Sequence, residues 1–162
     1  MRSAQDYVAD IGASTGGFCD VLLRDAARSS PDVGHGQWIR KSHDDRIIEM
    51  SGVNIRDVYA EVCRIVEMIV SDVSFISRHV IPVIAESRTA AQIVLLVKPQ
   101  FEVGKGNLGK NGIVESQELR EQALSSVVAC AERNGLDVRA TTVSPIEGTH
   151  GNIEYLLYAV MQ

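Results

Sequence analysis

Short apolar runs alternate with segments of helical periodicity along the 162-residue chain. The runs predict strands, because the strands of a buried parallel sheet are almost continuously apolar, and the segments between them predict amphipathic helices. This alternation is typical of an α/β domain with a doubly wound, mostly parallel sheet. The predicted strands are Tyr7–Ile11, Ile47–Met50, Val66–Ser71, Gln92–Lys98, Asp137–Val143 and Glu154–Val160, and the predicted helices are Phe18–Ala27, Ser77–Ala85 and Ser116–Asn134.

Two segments fit the alternation less well. A doubly wound sheet should hold its second strand between Ala27 and Val33, but this segment contains Pro31. Proline cannot donate a ladder hydrogen bond and is rare in inner strands, so we expect a short, bulged or displaced strand there. The segment Gln100–Gly112 carries glycines and lysines and is predicted to be a loop. No internal repeat or low-complexity stretch is recognised in the sequence.

Composition narrows the class of protein. Apolar residues make up 45% and charged residues 23%, which suits a packed core and argues against a disordered or fibrous chain. No apolar run approaches the roughly 20 residues of a membrane span, and Asp6 and Asp10 interrupt any signal-peptide pattern, so we expect a cytoplasmic protein. The three cysteines and four histidines lack ligand spacing, so we expect no metal site.

The formal net charge of −5 bears on partners. Proteins that bind nucleic acid on their own normally show a basic footprint. An RNA enzyme of this charge would need a local basic patch or a separate binding module.

A glycine-rich segment, Asp10-Ile-Gly-Ala-Ser-Thr-Gly-Gly-Phe18, links the first predicted strand to the first predicted helix. Glycines at such a turn let the backbone approach a ligand closely. Asp32, 22 residues after Asp10, could accept hydrogen bonds from the ribose hydroxyls of a nucleoside. The segment matches neither the dinucleotide pattern G-x-G-x-x-G nor a P-loop. S-adenosylmethionine, a nucleoside without phosphate, fits it, and an ordinary glycine-rich turn is an equal alternative.

Three ionisable residues lie at predicted strand ends. Asp72 follows one strand, Lys98 ends the next and Glu154 opens the last. Because ligands bind outside the carboxyl ends of strands in open α/β sheets, Asp72 and Lys98 should share a crevice with the glycine-rich segment. A lysine ending so apolar a strand should be partly desolvated, which favours the neutral form that a general base needs. Singly, Asp72 could cap a helix, and Lys98 with Glu154 could be a surface pair; together they favour a catalytic site.

Several motifs, in the same order, closely resemble the TlyA (haemolysin A) family of FtsJ-like methyltransferases. They are the glycine-rich segment, Asp72-Val-Ser-Phe-Ile-Ser77, Val97-Lys-Pro-Gln-Phe-Glu102, and Ser144-Pro-Ile146 with Gly151-Asn-Ile-Glu154. The resemblance runs from about Asp10 to the C-terminus. It implies a Rossmann-like sheet whose last strand is antiparallel, S-adenosylmethionine as cofactor, and methyl transfer to a cytidine ribose 2′-hydroxyl of ribosomal RNA.

The resemblance also implies roles for single residues. Asp72, Lys98 and Glu154 match the last three members of the family's Lys-Asp-Lys-Glu tetrad. In that tetrad Lys98 would take the 2′-hydroxyl proton, while Asp72 and Glu154 orient and tune Lys98. Asn54 matches a position beside the adenine. The implied cofactor-binding residues are Asp10, Gly12, Ala13, Ser14, Thr15, Gly16, Gly17, Phe18, Asp32, Asn54 and Asp72.

The chain departs from the family in three ways. In this sequence no lysine stands before the glycine-rich segment, where the first tetrad lysine belongs, and the second-strand region is shorter than in the family. We also expect the family's usual N-terminal S4-type RNA-binding domain to be missing. We therefore expect residues 1–162 to form one FtsJ-like methyltransferase domain. The alternative is a catalytically weakened or inactive relative that binds S-adenosylmethionine or RNA.

Lys105 and Lys110 lie among glycines in the one local basic loop of the sequence. Contact with the RNA backbone and a solvated loop are equal interpretations of these two lysines. The family's name also invites a membrane-active haemolysin. The sequence opposes that interpretation, since it offers neither a spanning segment nor a strongly basic amphipathic helix.

Overall fold

The computed structural model describes residues 7–12, 17–25, 30–34, 47–51, 66–74, 76–87 and 92–162. In these ranges the chain forms a single seven-stranded sheet with helices around it. The strands are β1 Tyr7–Ile11, β2 Ser30–Gly34, β3 Ile47–Ser51, β4 Val66–Ser71, β5 Gln92–Val97, β6 Leu136–Val143 and β7 Tyr155–Met161. The helices are α1 Gly17–Asp25, α2 Ile81–Ser87, α3 Pro99–Glu102 and α4 Gln117–Arg133.

The strand order is β3-β2-β1-β4-β5-β7-β6. Strands β1 to β5 pair in parallel, which confirms the doubly wound interpretation of the apolar runs. Strand β7 inserts between β5 and β6 and is antiparallel to both, so the expected antiparallel last strand is also confirmed. Because β7 runs the other way, its first residues lie at the edge where β1, β4 and β5 end.

The second strand holds Pro31, but with five residues it is as long as β1 and β3, so the expected short, bulged or displaced strand is not observed. It is an inner strand, in register with β3 from Ser30–Ile47 to Gly34–Ser51. Its registered pairing with β1 is limited to Asp10 with Asp32 and Ile11 with Val33, beyond the proline. This arrangement leaves Pro31 outside the β1–β2 register, where a missing N–H costs least.

Helix boundaries differ from the predictions where proline and capping residues act. The predicted helix Ser77–Ala85 is divided into a 3-10 turn, Ser77–His79, and helix α2. Pro82 is tolerated because it lies in the first turn of α2, where the N–H has no intrahelical partner. The predicted loop Gln100–Gly112 was wrong in its first part, which forms α3 with Pro99 as its first residue.

The core lies between the centre of the sheet and helices α2 and α4. Ile69, Ile93 and Leu157 on neighbouring strands are fully buried, as are Ile84 of α2 and Val127 of α4. Burial of such side chains contributes roughly 1.5–3 kcal/mol each. No helix in the described ranges is long and apolar enough to cross a membrane.

Candidate functional site

The ionisable residues singled out in the sequence meet at one edge of the sheet. Asp10 lies near the end of β1, Asp72 directly follows β4, and Lys98 directly follows β5. Glu154 directly precedes the antiparallel β7. The topology therefore gathers at one edge residues that are as much as 144 positions apart in the chain.

Gly12 joins the first of these strands to the loop that holds Asp72. The Asp72 N–H donates to the Ile11 carbonyl oxygen at 3.0 Å. Gly12 has φ +83°, and a Cβ at this position would lie 2.7 Å from the Asp72 carbonyl oxygen. Both the left-handed backbone and the close approach require glycine here. Asp10, two residues earlier, is fully buried, and its backbone is in register with Asp32 and with Val70.

Lys98 and Asp72 form the ion pair at the centre of the edge. Lys98 Nζ lies 2.5 Å from Asp72 Oδ1, and the two side chains are 14% and 32% exposed respectively. The lysine is thus mostly desolvated, as its position after an apolar strand predicted. A charge-assisted contact of this kind fixes the direction of the ammonium group.

Glu154 completes the set from the other side of β5. The last registered pair of β5 and β7 is Val97 with Tyr155, so the antiparallel register places Glu154 opposite Lys98. Glu154 is 5% exposed, and its Oε1 accepts a hydrogen bond of 2.8 Å from Gln100 Nε2. Its backbone carbonyl accepts from the Ser144 N–H at 2.8 Å, which extends the β6–β7 ladder to this residue.

Two residues that the sequence analysis did not single out support this set. Gln100 holds the Glu154 carboxylate, and the Glu102 carboxylate, 1% exposed, accepts from the Ser77 N–H at 2.7 Å. Glu102 also pairs with Arg78, with 3.5 Å between Oε2 and Nε. Both residues belong to the motif Val97–Glu102, so polar residues directly after the candidate lysine Lys98 were the available signal.

The structure leaves part of the predicted site unassessed. Ala13, Ser14, Thr15, Gly16 and Asn54 lie outside the described residues. For Asp32 the structure gives the backbone position in β2 only.

The remaining predicted residues lie at a helix start and on two surface turns. Gly17 is the exposed first residue of α1, and Phe18 is half-buried. Lys105 and Lys110 are exposed on two 3-10 turns, Lys105–Asn107 and Lys110–Gly112. Among the described residues no group of His, Cys, Asp and Glu is arranged to hold a metal ion.

Known proteins similar to this chain share its motifs. The model of the FtsJ-like methyltransferase family matches residues 1–160. Hemolysin A of Brachyspira hyodysenteriae is 40% identical over 159 residues, which cover 94% of this chain and 66% of that protein. The 16S/23S rRNA (cytidine-2′-O)-methyltransferase TlyA of Mycobacterium tuberculosis is 41% identical over 156 residues, 92% of this chain and 58% of that protein. The chain thus spans less than two thirds of the length of these curated relatives.

Solved structures also resemble this chain in fold. One from Streptococcus thermophilus that carries the name hemolysin superposes with a TM-score of 0.85 at 37% identity, over 99% of this chain and 61% of that one. The fibrillarin pre-rRNA processing protein of Methanococcus jannaschii superposes with a TM-score of 0.66 at 13% identity, over 98% and 67% of the two chains, which shows a shared fold. By sequence and by fold, the chain belongs to the FtsJ-like methyltransferase family.

Proposed function

We propose that the chain transfers a methyl group from S-adenosylmethionine to the 2′-hydroxyl of a cytidine ribose in ribosomal RNA. The observation that carries the proposal is the desolvated Lys98–Asp72 pair at the carboxyl edge of the sheet, beside Gly12. The name of the Mycobacterium tuberculosis relative supplies the nucleotide and the type of RNA. The reaction is cytoplasmic, where ribosomal RNA is found.

The residues at the edge fit the cofactor. S-adenosylmethionine supplies a methyl group on a sulfonium centre and a cationic amino-acid end. Carboxylates of Asp10 and Asp72 offer negative charge at the ends of two adjacent strands, and the backbone register of Asp32 with Asp10 supports its proposed role at the ribose hydroxyls. By resemblance to the family, the proposed pocket also includes Ala13, Ser14, Thr15, Gly16, Gly17, Phe18 and Asn54.

Lys98, in the state in which its amine has given up the proton of the ion pair, would act as the general base. Its Nζ would accept the proton of the ribose 2′-hydroxyl, while bound S-adenosylmethionine would supply the methyl group to that oxygen and leave as S-adenosylhomocysteine. Asp72, in contact with Nζ, directs the amine and stabilises the positive charge that Lys98 gains. Glu154, whose backbone lies one position beyond the last β5–β7 pair and so opposite that of Lys98, is proposed to orient Lys98 from the neighbouring strand. Correct placement of the two reacting groups supplies much of the rate.

Lys105 and Lys110 contact the RNA backbone. Both side chains are exposed, and both residues lie on the 3-10 turns that follow Lys98 and α3 in the chain. Each phosphate contact contributes to an affinity that falls with salt concentration. A chain of net charge −5 needs such a local basic surface for RNA.

Methyl transfer from labelled S-adenosylmethionine to unmethylated ribosomal subunits tests the proposal. Lys98→Met is expected to lower kcat by a factor of about 10²–10⁴, the usual contribution of a general base, with cofactor affinity unchanged. Lys105→Met with Lys110→Met is the matched control: it is expected to raise the KM for RNA and leave kcat within about twofold.

The possible results separate this proposal from its alternative. Cofactor binding with no transfer by the unaltered chain would identify it as an inactive, binding relative. A Lys98→Met variant that transfers as fast as the unaltered chain would rule out Lys98 as the base.

A further inference from the structure

Two surface turns near the site have the same backbone conformation. The Gly109 turn is Gly109–Ile113 and the Gly148 turn is Gly148–Asn152. In each, the third residue is a non-glycine in the left-handed region, Asn111 at φ 63°, ψ 18° and His150 at φ 62°, ψ 17°. The N–H of each first glycine donates to the carbonyl oxygen of the fifth residue at 2.8 Å. These conformations are rare outside glycine, so their duplication is a specific feature of the fold.

The sequences of the two turns match as well. They are Gly109-Lys-Asn-Gly-Ile-Val-Glu115 and Gly148-Thr-His-Gly-Asn-Ile-Glu154, each with a glutamate six residues after the first glycine. The two segments share only the two glycines and the glutamate at equivalent positions, so this short repeat was not predicted from the sequence. The second glutamate is the proposed active-site residue, and the first has no role assigned to it.

Each first glycine is required for space and not for its backbone angles. Gly109 and Gly148 have φ −77° and −75°, values that any residue adopts. A Cβ at Gly109 would lie 2.9 Å from Glu115 Oε1, and a Cβ at Gly148 would overlap the carboxyl group of Glu154. The two glutamates differ in freedom: Glu115 is exposed, whereas Glu154 is buried and held by Gln100.

Asn152 fixes the two turns to each other. Asn152 is buried, with 3% of its surface exposed. Its Oδ1 accepts from the Val114 N–H at 3.1 Å, and its Nδ2 donates to the carbonyl oxygens of Gly112 and Thr149, each at 3.1 Å. A buried amide that makes three hydrogen bonds holds its neighbours rigidly, since losing any of them leaves a buried polar group unpaired. The Gly148 turn, which lies against the Glu154 carboxyl group, is therefore held in a fixed position.

We propose that Gly148 is a positioning residue for methyl transfer, through its contact with Glu154. The bare Cα of Gly148 and the amide of Gln100 confine the Glu154 carboxylate, on a residue whose backbone follows the β5–β7 register to a position opposite Lys98. The inference rests on the proposed function, because it assigns Gly148 a part in the same reaction. A methyl group at position 148 would push the carboxylate aside, and misplacement by about 1 Å can cost up to about 10²-fold in rate.

Paired substitutions test the contact in the whole chain. Gly148→Ala is compared with Gly109→Ala, because the two turns have the same backbone conformation. They differ in the glutamate that each glycine contacts: Glu154 is buried and bonded to Gln100, whereas Glu115 is exposed. Single-turnover rates are measured at saturating RNA and cofactor. Under these conditions, weaker RNA binding caused by a displaced Lys110 in the Gly109→Ala variant does not change the measured rate. Gly148→Ala is expected to lower the rate by about 10–100-fold, and Gly109→Ala by less than about twofold.

A double-mutant cycle separates positioning from general damage. In a Glu154→Ala background, where the overlap no longer exists, Gly148→Ala should cost less than about twofold in rate and should not lower Tm further. The same cycle with Glu115→Ala and Gly109→Ala should show no coupling in rate. Should Gly148→Ala alone fold poorly, recovery of Tm in the Gly148→Ala/Glu154→Ala protein would still identify the contact.

Two outcomes would overturn the inference. One is equal rates for Gly148→Ala and Gly109→Ala; the other is an undiminished effect of Gly148→Ala on rate and Tm when Glu154 is alanine. Failure of the proposed function looks different, because the unaltered chain would then transfer no methyl group to RNA.

Discussion

The two halves of the sheet hold their parts of the site by different means. In the half formed by β1, β2 and β3, strands are parallel, and the registered pairing of β1 with β2 covers only Asp10–Ile11 with Asp32–Val33. In the half formed by β4 to β7, antiparallel β7 pairs with β5 from Gln92–Val160 to Val97–Tyr155 and continues with β6 on its other side. The proposed catalytic residues Lys98 and Glu154 thus directly adjoin the β5–β7 ladder of six registered pairs.

This difference indicates where precision is needed. An antiparallel ladder fixes which residues lie opposite each other, and the β5–β7 register continues from its last pair, Val97 with Tyr155, to the backbones of Lys98 and Glu154. Strand β1, which leads into the glycine-rich segment, pairs with β4 from Tyr7–Val66 to Ile11–Ser71, and the contact of Gly12 with the Asp72 backbone extends this junction beyond the strands. Among the described residues, Gly12 is therefore the point where the proposed cofactor side meets the loop that holds Asp72.

The largest expected effect on stability and on cofactor binding comes from disrupting the contact of Gly12 with the Asp72 backbone. Gly12→Ala forces an L-residue into a left-handed backbone, at about 1–2 kcal/mol, and presses its Cβ against the Asp72 carbonyl, at about 1–3 kcal/mol more. We expect a loss of roughly 2–5 kcal/mol in the free energy of unfolding, measured by urea denaturation, and a loss of S-adenosylmethionine binding, measured by calorimetry.

Gly135→Ala is the matched control, because Gly135 has φ +82° and open space where a Cβ would be. It should cost only the backbone part, about 1–2 kcal/mol, and leave cofactor binding intact. Equal losses for the two variants would show that the approach of Gly12 to Asp72 is unimportant.

A smaller effect is expected from the side-chain link within the catalytic half. The Glu102 carboxylate links the segment after Lys98 to the segment after Asp72, through the Ser77 N–H and Arg78. Glu102→Ala removes this carboxylate and leaves both groups without their partner. We expect a loss of about 1–3 kcal/mol in unfolding free energy. Glu102→Gln keeps an acceptor for Ser77 and should lose about 1 kcal/mol or less. If glutamine were no better than alanine, the charge on Glu102, and not its hydrogen bond, would be the important feature.

The smallest effect lies outside both halves, at the start of α4. The Ser116 hydroxyl accepts from the Leu119 N–H at 3.2 Å and donates to Glu118 Oε2 at 2.8 Å. Ser116→Ala should cost about 1 kcal/mol and leave methyl transfer unchanged. The hydrogen bond from Ser116 is the main reason that the pKa of Glu118 lies below its ordinary value of 4.5.

That shift fixes the sign of a pH dependence. A carboxyl group whose pKa is lowered on folding adds stability above its unfolded pKa, and loses this contribution as pH falls through the folded value. The stability difference between the unaltered chain and Ser116→Ala should therefore narrow below about pH 4.5. Urea denaturation at pH 7 and pH 3.5 measures it, and a difference that widens at low pH would contradict this role of Glu118.

Much of this architecture could be predicted from local patterns. The strand Gln92–Val97 is β-branched, apolar and ended by Pro99, so its type and boundary follow from the residues themselves. The same holds for α4, with Ser116 as N-cap and Gly135 after its end. Pro31 led to the prediction of a short, bulged or displaced second strand, whereas β2 is an inner strand of five residues in unbroken register with β3.

The sequence by itself determined the kinds of elements, the identity of the ionisable groups and the family, because these depend on periodicity and on short motifs. Only the tertiary structure decided which groups face each other: the register that sets Glu154 opposite Lys98, the approach of Gly12 to Asp72, and the contact of Gly148 with Glu154. Such pairings join residues that are distant in the chain or that share no local period. They are fixed by strand order and close packing, which a linear pattern does not contain.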